Sequence, residues 1–366
     1  MRRSWIEVSR SAIAANYDAV KALVGPDVEV APVVKADAYR HGAVEVARTV
    51  ASRGAGWLCV SNVDEGIALR NAGLSTRILV MADSLAANLP RALDRGLTPV
   101  LHDLADIRAL EELERPAAFH LKVDTGMGRL GAADAPAVVA RALAGCRHAR
   151  LEGLMTHFAS AGDYVGAQTD EQMAAFEAYV SALKPSIVHA ASTIAIAYGR
   201  RGAWRQLVRP GHAIYGYVSP VRHRDTPPPA LLNVRPALVW KARLLAVKDV
   251  PAGSRIGYGA QFTAPTPMRI GIIAAGYADG IPHRLSNRGR VIAGGRFAPI
   301  LGAVSMDLTT IDLAAVPHLM PGDPVTLLGS EGEASQDAQQ MARAAGTISY
   351  AVLCGISARV ERIFVD

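Results

Sequence analysis

The chain has 366 residues and a mass of 38.6 kDa, enough for one large domain or two ordinary ones with a sizeable core. Half of the residues are hydrophobic and 20% are charged, which excludes a disordered chain, and the longest apolar runs, such as "GIIAAG" at 271–276, fall far short of the ~20 residues that span a bilayer. A net charge of +6 and a pI near 9.3 suit anionic small molecules, but the basic residues are scattered among acids, as in "EELERPAAFHLKVD", rather than gathered into a stripe, which argues against a nucleic-acid partner.

The opening "MRRSWIEV" lacks the apolar core and cleavage site of a signal peptide, so the expected compartment is the cytoplasm, with no membrane partner. From residue 30 to about 216 short apolar runs alternate with segments of helical periodicity. Strands are predicted at 30–36 ("VAPVVKA"), 56–61, 77–82, 97–102, 117–124, 150–157, 186–191 and 207–216 ("LVRPGHAIYG"). Between them, "VDEGIALRNAG" and "DEQMAAFEAYVSALK" place apolar residues three and four apart, as helices do. About eight βα units is the count of a parallel barrel, whose active site gathers at the C-terminal ends of its strands; a doubly wound open sheet is the alternative.

The stretch 218–238 holds five prolines and reads as a crossing between domains. Beyond it, short β-rich runs separated by Gly, Pro and Asp turns predict a mostly-β domain, with one helix near 335–345. The expected organisation is α/β: an N-terminal (β/α)8 barrel over residues 1–230 and a C-terminal β domain over 231–366. Cys59, Cys146 and Cys354 lie far apart and form no C-x-x-C pair, so neither a metal site nor a disulfide framework is indicated.

One stretch asks for an explanation. "PVVKADAYRHG" drives Lys35 into the end of an apolar run, and a buried ammonium is costly unless paired or neutralised. Taken alone, a strand-end lysine usually just reaches solvent. Yet other polar groups fall at predicted strand ends as well: Lys122, Asp124 and Arg129 in "HLKVDTGMGRLG", His157 in "MTHFAS", His189 and Thr193 in "VHAAST", and Arg209 in "VRPGHAIYG". Together on one face of a barrel they are a poor structural accident.

"VVKADAYRHG", "DTGMGRLG", "MTHFA", "RPGHAIYG", "RIGYGAQF", "GYADGIPHRLSNRG", "SMDLTTIDL" and "ISYAVLCGISARV" occur in the order and spacing of bacterial alanine racemase, and the chain resembles that family over nearly its whole length. The resemblance implies pyridoxal 5′-phosphate (PLP) held on Lys35 as a Schiff base, with Tyr39, Thr193, the backbone at Gly211 and His212, and Tyr350 around the phosphate. It implies His157 beside the pyridine ring and Arg209 at the pyridine nitrogen, where a permanent cation limits charge delocalisation and side reactions. Two bases are implied, Lys35 on the face of the D-substrate and Tyr258 on the other, the tyrosine needing nearby positive charge from His157 or Arg209 to favour its phenolate.

In the family that tyrosine comes from the other subunit, so a homodimer is implied, with Met306 and Asp307 of the second copy near the substrate carboxylate. Arg129 would hold that carboxylate, Lys122 matches a lysine carbamylated in some members, and Tyr277 would narrow the entrance so that alanine fits best. The chain departs from the pattern at Arg40 (usually Gly), Thr193 (usually Ser), His212 (commonly aliphatic) and Ser305 (commonly Cys or another small residue). The implied activity is the interconversion of L- and D-alanine, supplying D-alanine for peptidoglycan. Alternatives are a sister PLP racemase acting on serine or a broader range, a barrel decarboxylase, against which Arg209 argues, and a non-catalytic PLP-binding barrel, which lacks a second domain with its tyrosine.

Overall fold

The structure is a computed structural model that describes residues 2–366. Its first ten strands are β1 (Ser4–Ser9), β2 (Glu29–Val30), β3 (Trp57–Val60), β4 (Arg77–Val80), β5 (Thr98–Leu101), β6 (Ala117–Lys122), β7 (Ala149–Met155), β8 (Ile187–His189), β9 (Leu207–Val208) and β10 (Leu238–Val250). The chain divides into two compact units, one made of Ser11–Ala38 and Ala43–Arg235, the other of the residues up to Arg10, Tyr39–Gly42 and Pro236–Asp366. No helix among the described residues is long and apolar enough to cross a membrane.

In the first unit, β3 to β8 pair in parallel in chain order, and β2 pairs in parallel with β9. Bridges between Val33 and Cys59 and between Ser192 and Arg209 join that pair to both ends of the ladder, so eight parallel strands close into a barrel. The strands "WLCV" and "TPVL" are buried at every residue. Continuous apolar runs of this kind suit a parallel sheet covered on both faces. Helices Val63–Asn71 and Gln168–Leu183 lie where the 3.6-residue periodicity puts them.

Two expected strands are shorter than their apolar runs. Of 30–36, only Val30 is in the ladder; single hydrogen bonds from Ala31 N to Val208 O and from Val33 N to Pro210 O carry the pairing on until Lys35. Of 207–216, only Leu207–Val208 is strand, because Pro210 has no N–H to donate and His212–Tyr215 coils into a 3-10 turn.

In the second unit, a nine-stranded sheet places β1 between β10, antiparallel, and Glu361–Val365, parallel. Trp240 Nε1 donates to Ser4 Oγ at 2.9 Å, and Lys241 meets Glu7 at 3.0 Å. The helix expected near 335–345 is Ala338–Ala345, closed by an Asp337–Gln340 capping box and by Gly346 in the left-handed region. A second helix, Ser349–Gly355, carries Tyr350.

One glycine of the barrel is required by close approach. Gly153 on β7 sits opposite His120 on β6, and a Cβ there would collide with the buried His120 ring. Gly153→Ala should therefore destabilise the protein by about 2 kcal/mol, read as a lower urea midpoint at unchanged m-value; an unchanged midpoint would show that the ring can move aside.

Candidate active site

Lys35 stands where the strand ends and the backbone reverses its hand. Ala36, Asp37, Ala38, Tyr39 and Arg40 all have φ between +51° and +67°, a run of left-handed residues that costs about 1–2 kcal/mol at each. Such strain persists only where the surroundings over-determine it. Glu65, at the start of helix Val63–Asn71, accepts Ala36 N–H at 2.8 Å on one carboxylate oxygen and Ser61 N–H at 2.7 Å on the other. Asp37 accepts Ala43 N–H at 2.8 Å, and Ala38 N–H reaches back to Val34 O at 2.9 Å. Lys35, partly exposed, is thus presented by a turn pinned at both ends. Arg40 occupies a φ of +67°, which accounts for a glycine being usual there; its Nε donates to Cys354 O, and its own carbonyl accepts from Arg362. Tyr39 packs near Tyr350, ring centroids 5.9 Å apart.

Arg209 is 3% exposed. Its Nη1 donates to His189 Nδ1 (2.6 Å) and His189 O (2.9 Å), and its Nη2 to Thr156 O (2.8 Å) and Ala190 O (3.2 Å), with His157 Nδ1 at 3.5 Å. These bonds all leave from the two terminal nitrogens, and among the described residues no carboxylate pairs with the guanidinium. Burial pulls its pKa down to about 10, so it stays a cation at neutral pH. Burial, reinforced by Arg209, Lys122, Arg129 and Lys35, pulls His157 down to about 3. Of these two groups His157 is therefore uncharged, and Arg209 is the cation.

Thr193 Oγ1 accepts two backbone N–H groups, from Gly211 at 3.1 Å and Ala213 at 3.2 Å. Its hydroxyl hydrogen is left to point at an acceptor elsewhere. The buried ring of His212 stacks on Tyr217 at 5.0 Å. Lys122 ends β6, buried, and burial followed by the charges of Arg129 and Arg209 pushes it down to about 8. After it, Asp124 gathers the N–H groups of Gly126, Met127 and Gly128 on its carboxylate, and Ala132 pairs back with Lys122 and Asp124, so the loop that carries exposed Arg129 is folded rather than loose.

In the second unit Tyr258 is 77% exposed, held in a tight turn between Gly257 and Gly259, both at positive φ, a conformation that glycine adopts without steric cost. Tyr277 and Met306 are also exposed, at 45% and 53%. Tyr277 N–H bonds Ser305 O and Ala278 N–H bonds Met306 O, which places the two together. The Ser305 hydroxyl donates to Leu308 O. Asp307 is tied to Arg359 at 2.6 Å, and Arg359 also holds Asp279 at 2.8 Å.

Lys35, Lys122, Arg129, His157 and Arg209 therefore act on one another electrostatically within the barrel, with Thr193 beside the Arg209 strand. Tyr258, Tyr277, Met306 and Asp307 belong to the other unit, and so do Tyr39 and Tyr350. Glu65 went unforeseen, since an acid three residues after the Asn62 cap reads as an ordinary first-turn residue.

Models of the alanine racemase N-terminal and C-terminal domains match residues 8–220 and 237–364. The chain is 38% identical to an alanine racemase of Carboxydothermus hydrogenoformans, covering all of both chains, and 36% identical to one of Halothermothrix orenii, covering 99% of this chain and 96% of that one. It superposes on the alanine racemase of Bacillus anthracis with bound L-Ala-P at a TM-score of 0.92 (32% identity, 100% and 96% covered). It superposes on that of Bartonella henselae with covalently bound pyridoxal phosphate at 0.89 (26% identity, all of both chains).

The neutral His157 sets a pH dependence. Its proton affinity is lower in the folded state, about 3, than its ordinary 6.5. The unfolded chain therefore takes up a proton that the folded one refuses, so this stability is complete above pH 6.5 and is lost as pH falls toward 3. At pH 5 the loss from His157 is about 2 kcal/mol, and His189, lowered by burial, adds in the same direction. The urea midpoint should fall between pH 7.5 and 5; a constant or rising midpoint would refute the assignment.

Proposed function

The chain belongs to the alanine racemase family, a PLP-dependent isomerase that interconverts L- and D-alanine, and we propose that Lys35 and Tyr258 are the two bases of that reaction. The observation that carries the proposal is the buried, carboxylate-free guanidinium of Arg209 in the same barrel face as Lys35 and Thr193.

The residues present fit the cofactor. Thr193 has a hydroxyl hydrogen to give a phosphate oxygen, and its Oγ1 is bonded by the turn that carries Gly211 and His212; the family pattern adds the phenols of Tyr39 and Tyr350. Arg209 has its Nε still to give to a ring nitrogen, and as a fixed cation it keeps that nitrogen from gaining a proton of its own. Neutral His157 suits an aromatic face, since a charged ring would add a second cation beside Arg209. When bound, the cofactor supplies the electron sink that makes the α-proton of alanine removable.

The chain's own groups then move the proton. The Lys35 amine takes or gives it on one face and the Tyr258 phenol on the opposite face, so a proton removed by one and returned by the other inverts the centre. Arg129 holds the substrate carboxylate. Met306 and Asp307 of the second copy would approach it; because the Asp307 side chain is committed to Arg359, what it offers is backbone N–H rather than a repelling carboxylate. Tyr277 limits the space beside the α-carbon and so favours a methyl side chain. Lys122, at about 8, holds a fraction of neutral amine at neutral pH, the form that adds carbon dioxide to become a carbamate anion beside Arg129.

A homodimer completes the site in this reading, Tyr258, Tyr277, Met306 and Asp307 coming from the second copy. Its support is the family pattern and the exposure of these side chains. D-alanine for peptidoglycan made in the cytoplasm is the physiological role that follows.

Proton NMR in D2O with PLP tests the reading: the α-proton of L-alanine should exchange faster than those of L-serine and L-lysine, with D-alanine appearing. Faster exchange of serine or lysine would make this a sister racemase, and no exchange a PLP-binding barrel. Lys35→Ala should lose both the absorbance of bound cofactor and all activity. Tyr258→Phe should keep the absorbance and lose exchange from the L-enantiomer by about 100-fold or more; parent rates would end the two-base assignment.

A further inference from the structure

Behind Arg209 a line of polar side chains crosses the interior of the barrel. Arg209 Nη1 is 2.6 Å from His189 Nδ1 and His189 Nε2 is 2.8 Å from His120 Nδ1, both hydrogen bonds, while His120 Nε2 faces Glu152 Oε2 across 3.7 Å, a charge contact too long for a hydrogen bond. Glu152 in turn takes Arg77 at 2.5 Å. Both imidazoles are fully buried.

The order of protons along this line is forced. Arginine only donates, so His189 Nδ1 must present a lone pair, which makes that ring neutral with its proton on Nε2. That proton faces His120 Nδ1. A proton there too would set two N–H groups head to head at 2.8 Å, so His120 must also be neutral, with its own proton on Nε2, facing the carboxylate. Burial lowers both rings' affinity for a second proton, and the His120 ring and Arg77 keep Glu152 ionised. The far end lies at the other rim of the barrel: Arg77 begins β4, Trp57 begins β3, and Trp57 has the Arg77 guanidinium 3.8 Å over its ring and His120 at 5.3 Å.

We propose that Glu152, His120 and His189 are positioning residues for the racemase, a proton-ordered relay that fixes the plane and donor strength of Arg209 from the opposite rim of the barrel. The inference rests on the reading of Arg209 as the group that faces the cofactor ring. The Glu152 charge acts on the His120 ring through space at 3.7 Å, and the two hydrogen bonds beyond it pass the polarisation on, so the lone pair that His189 offers Arg209 becomes a stronger acceptor. With Nη1 and Nη2 locked, Nε can meet the ring in only one orientation.

Neutron diffraction from the deuterated holoenzyme reads the relay directly. Deuterium should lie on Nε2 of His189 and of His120 and be absent from Nδ1 of both; density on either Nδ1 overturns the proton order. Glu152→Gln, nearly isosteric, then tests the coupling in the PLP-loaded enzyme: the visible band of the bound cofactor should shift and kcat fall about fivefold with KM for alanine little changed. An unmoved band with parental kcat would reduce Glu152 to a partner of Arg77 and refute the relay. If the deuterons lie as stated but the parent does not racemise alanine, the functional reading fails while the proton order stands.

Discussion

A cation that cannot be discharged, buried without a carboxylate, is the constraint around which the barrel is arranged. Arg209 stays charged because its terminal nitrogens are fully occupied by three carbonyls and a histidine lone pair, each a partial rather than a full negative charge. That choice propagates. It fixes the tautomer of His189, it adds to the burial that keeps His157 neutral, and with Arg129 it adds to the burial that lowers Lys122 to about 8. A carboxylate in the same place would neutralise the site and hold a ring nitrogen protonated, so the identity of one side chain decides which chemistry the barrel favours.

The second constraint is mechanical. Five consecutive left-handed residues after Lys35 would unwind in a free peptide. They persist because Glu65 and the Val34 carbonyl hold the N–H groups of Ala36 and Ala38, and the Asp37 carboxylate ties the segment forward to Ala43 N–H. The backbone that follows Lys35 is thereby held in one conformation, so the position of the amine does not depend on side-chain packing alone. Rigidity of this kind places a reactive amine more accurately than a loop held only by side-chain packing.

Much of this was legible in the residues. Strand-sized apolar runs ending in Lys, His, Thr or Arg told where the barrel's open rim would be, because period and residue type change together there. What was not legible depends on partners far along the chain. His120 and Glu152 precede the strand ends and look like ordinary strand residues until the register sets Gly153 opposite His120. Arg40 appeared only as a departure from a glycine pattern; the positive φ explains both the pattern and the Cys354 contact that accompanies the exception. The apolar run at 207–216 overstated its strand because burial alone does not distinguish a ladder from a 3-10 turn packed in the core.

The placement of β1 bears on the order in which the molecule is made. Its residues pair with Leu238–Val250 and Glu361–Val365, Trp5 against Lys241 on one side and Glu361 on the other. During synthesis the barrel segment 11–235 emerges whole while the strand that precedes it still has no neighbour on either edge. An unpaired apolar strand tethered to a folding barrel is an aggregation hazard for that interval. Ser4–Ser9 is only six residues long and carries Glu7 among its apolar residues, a short strand with an internal charge, which limits self-association until its two partners arrive.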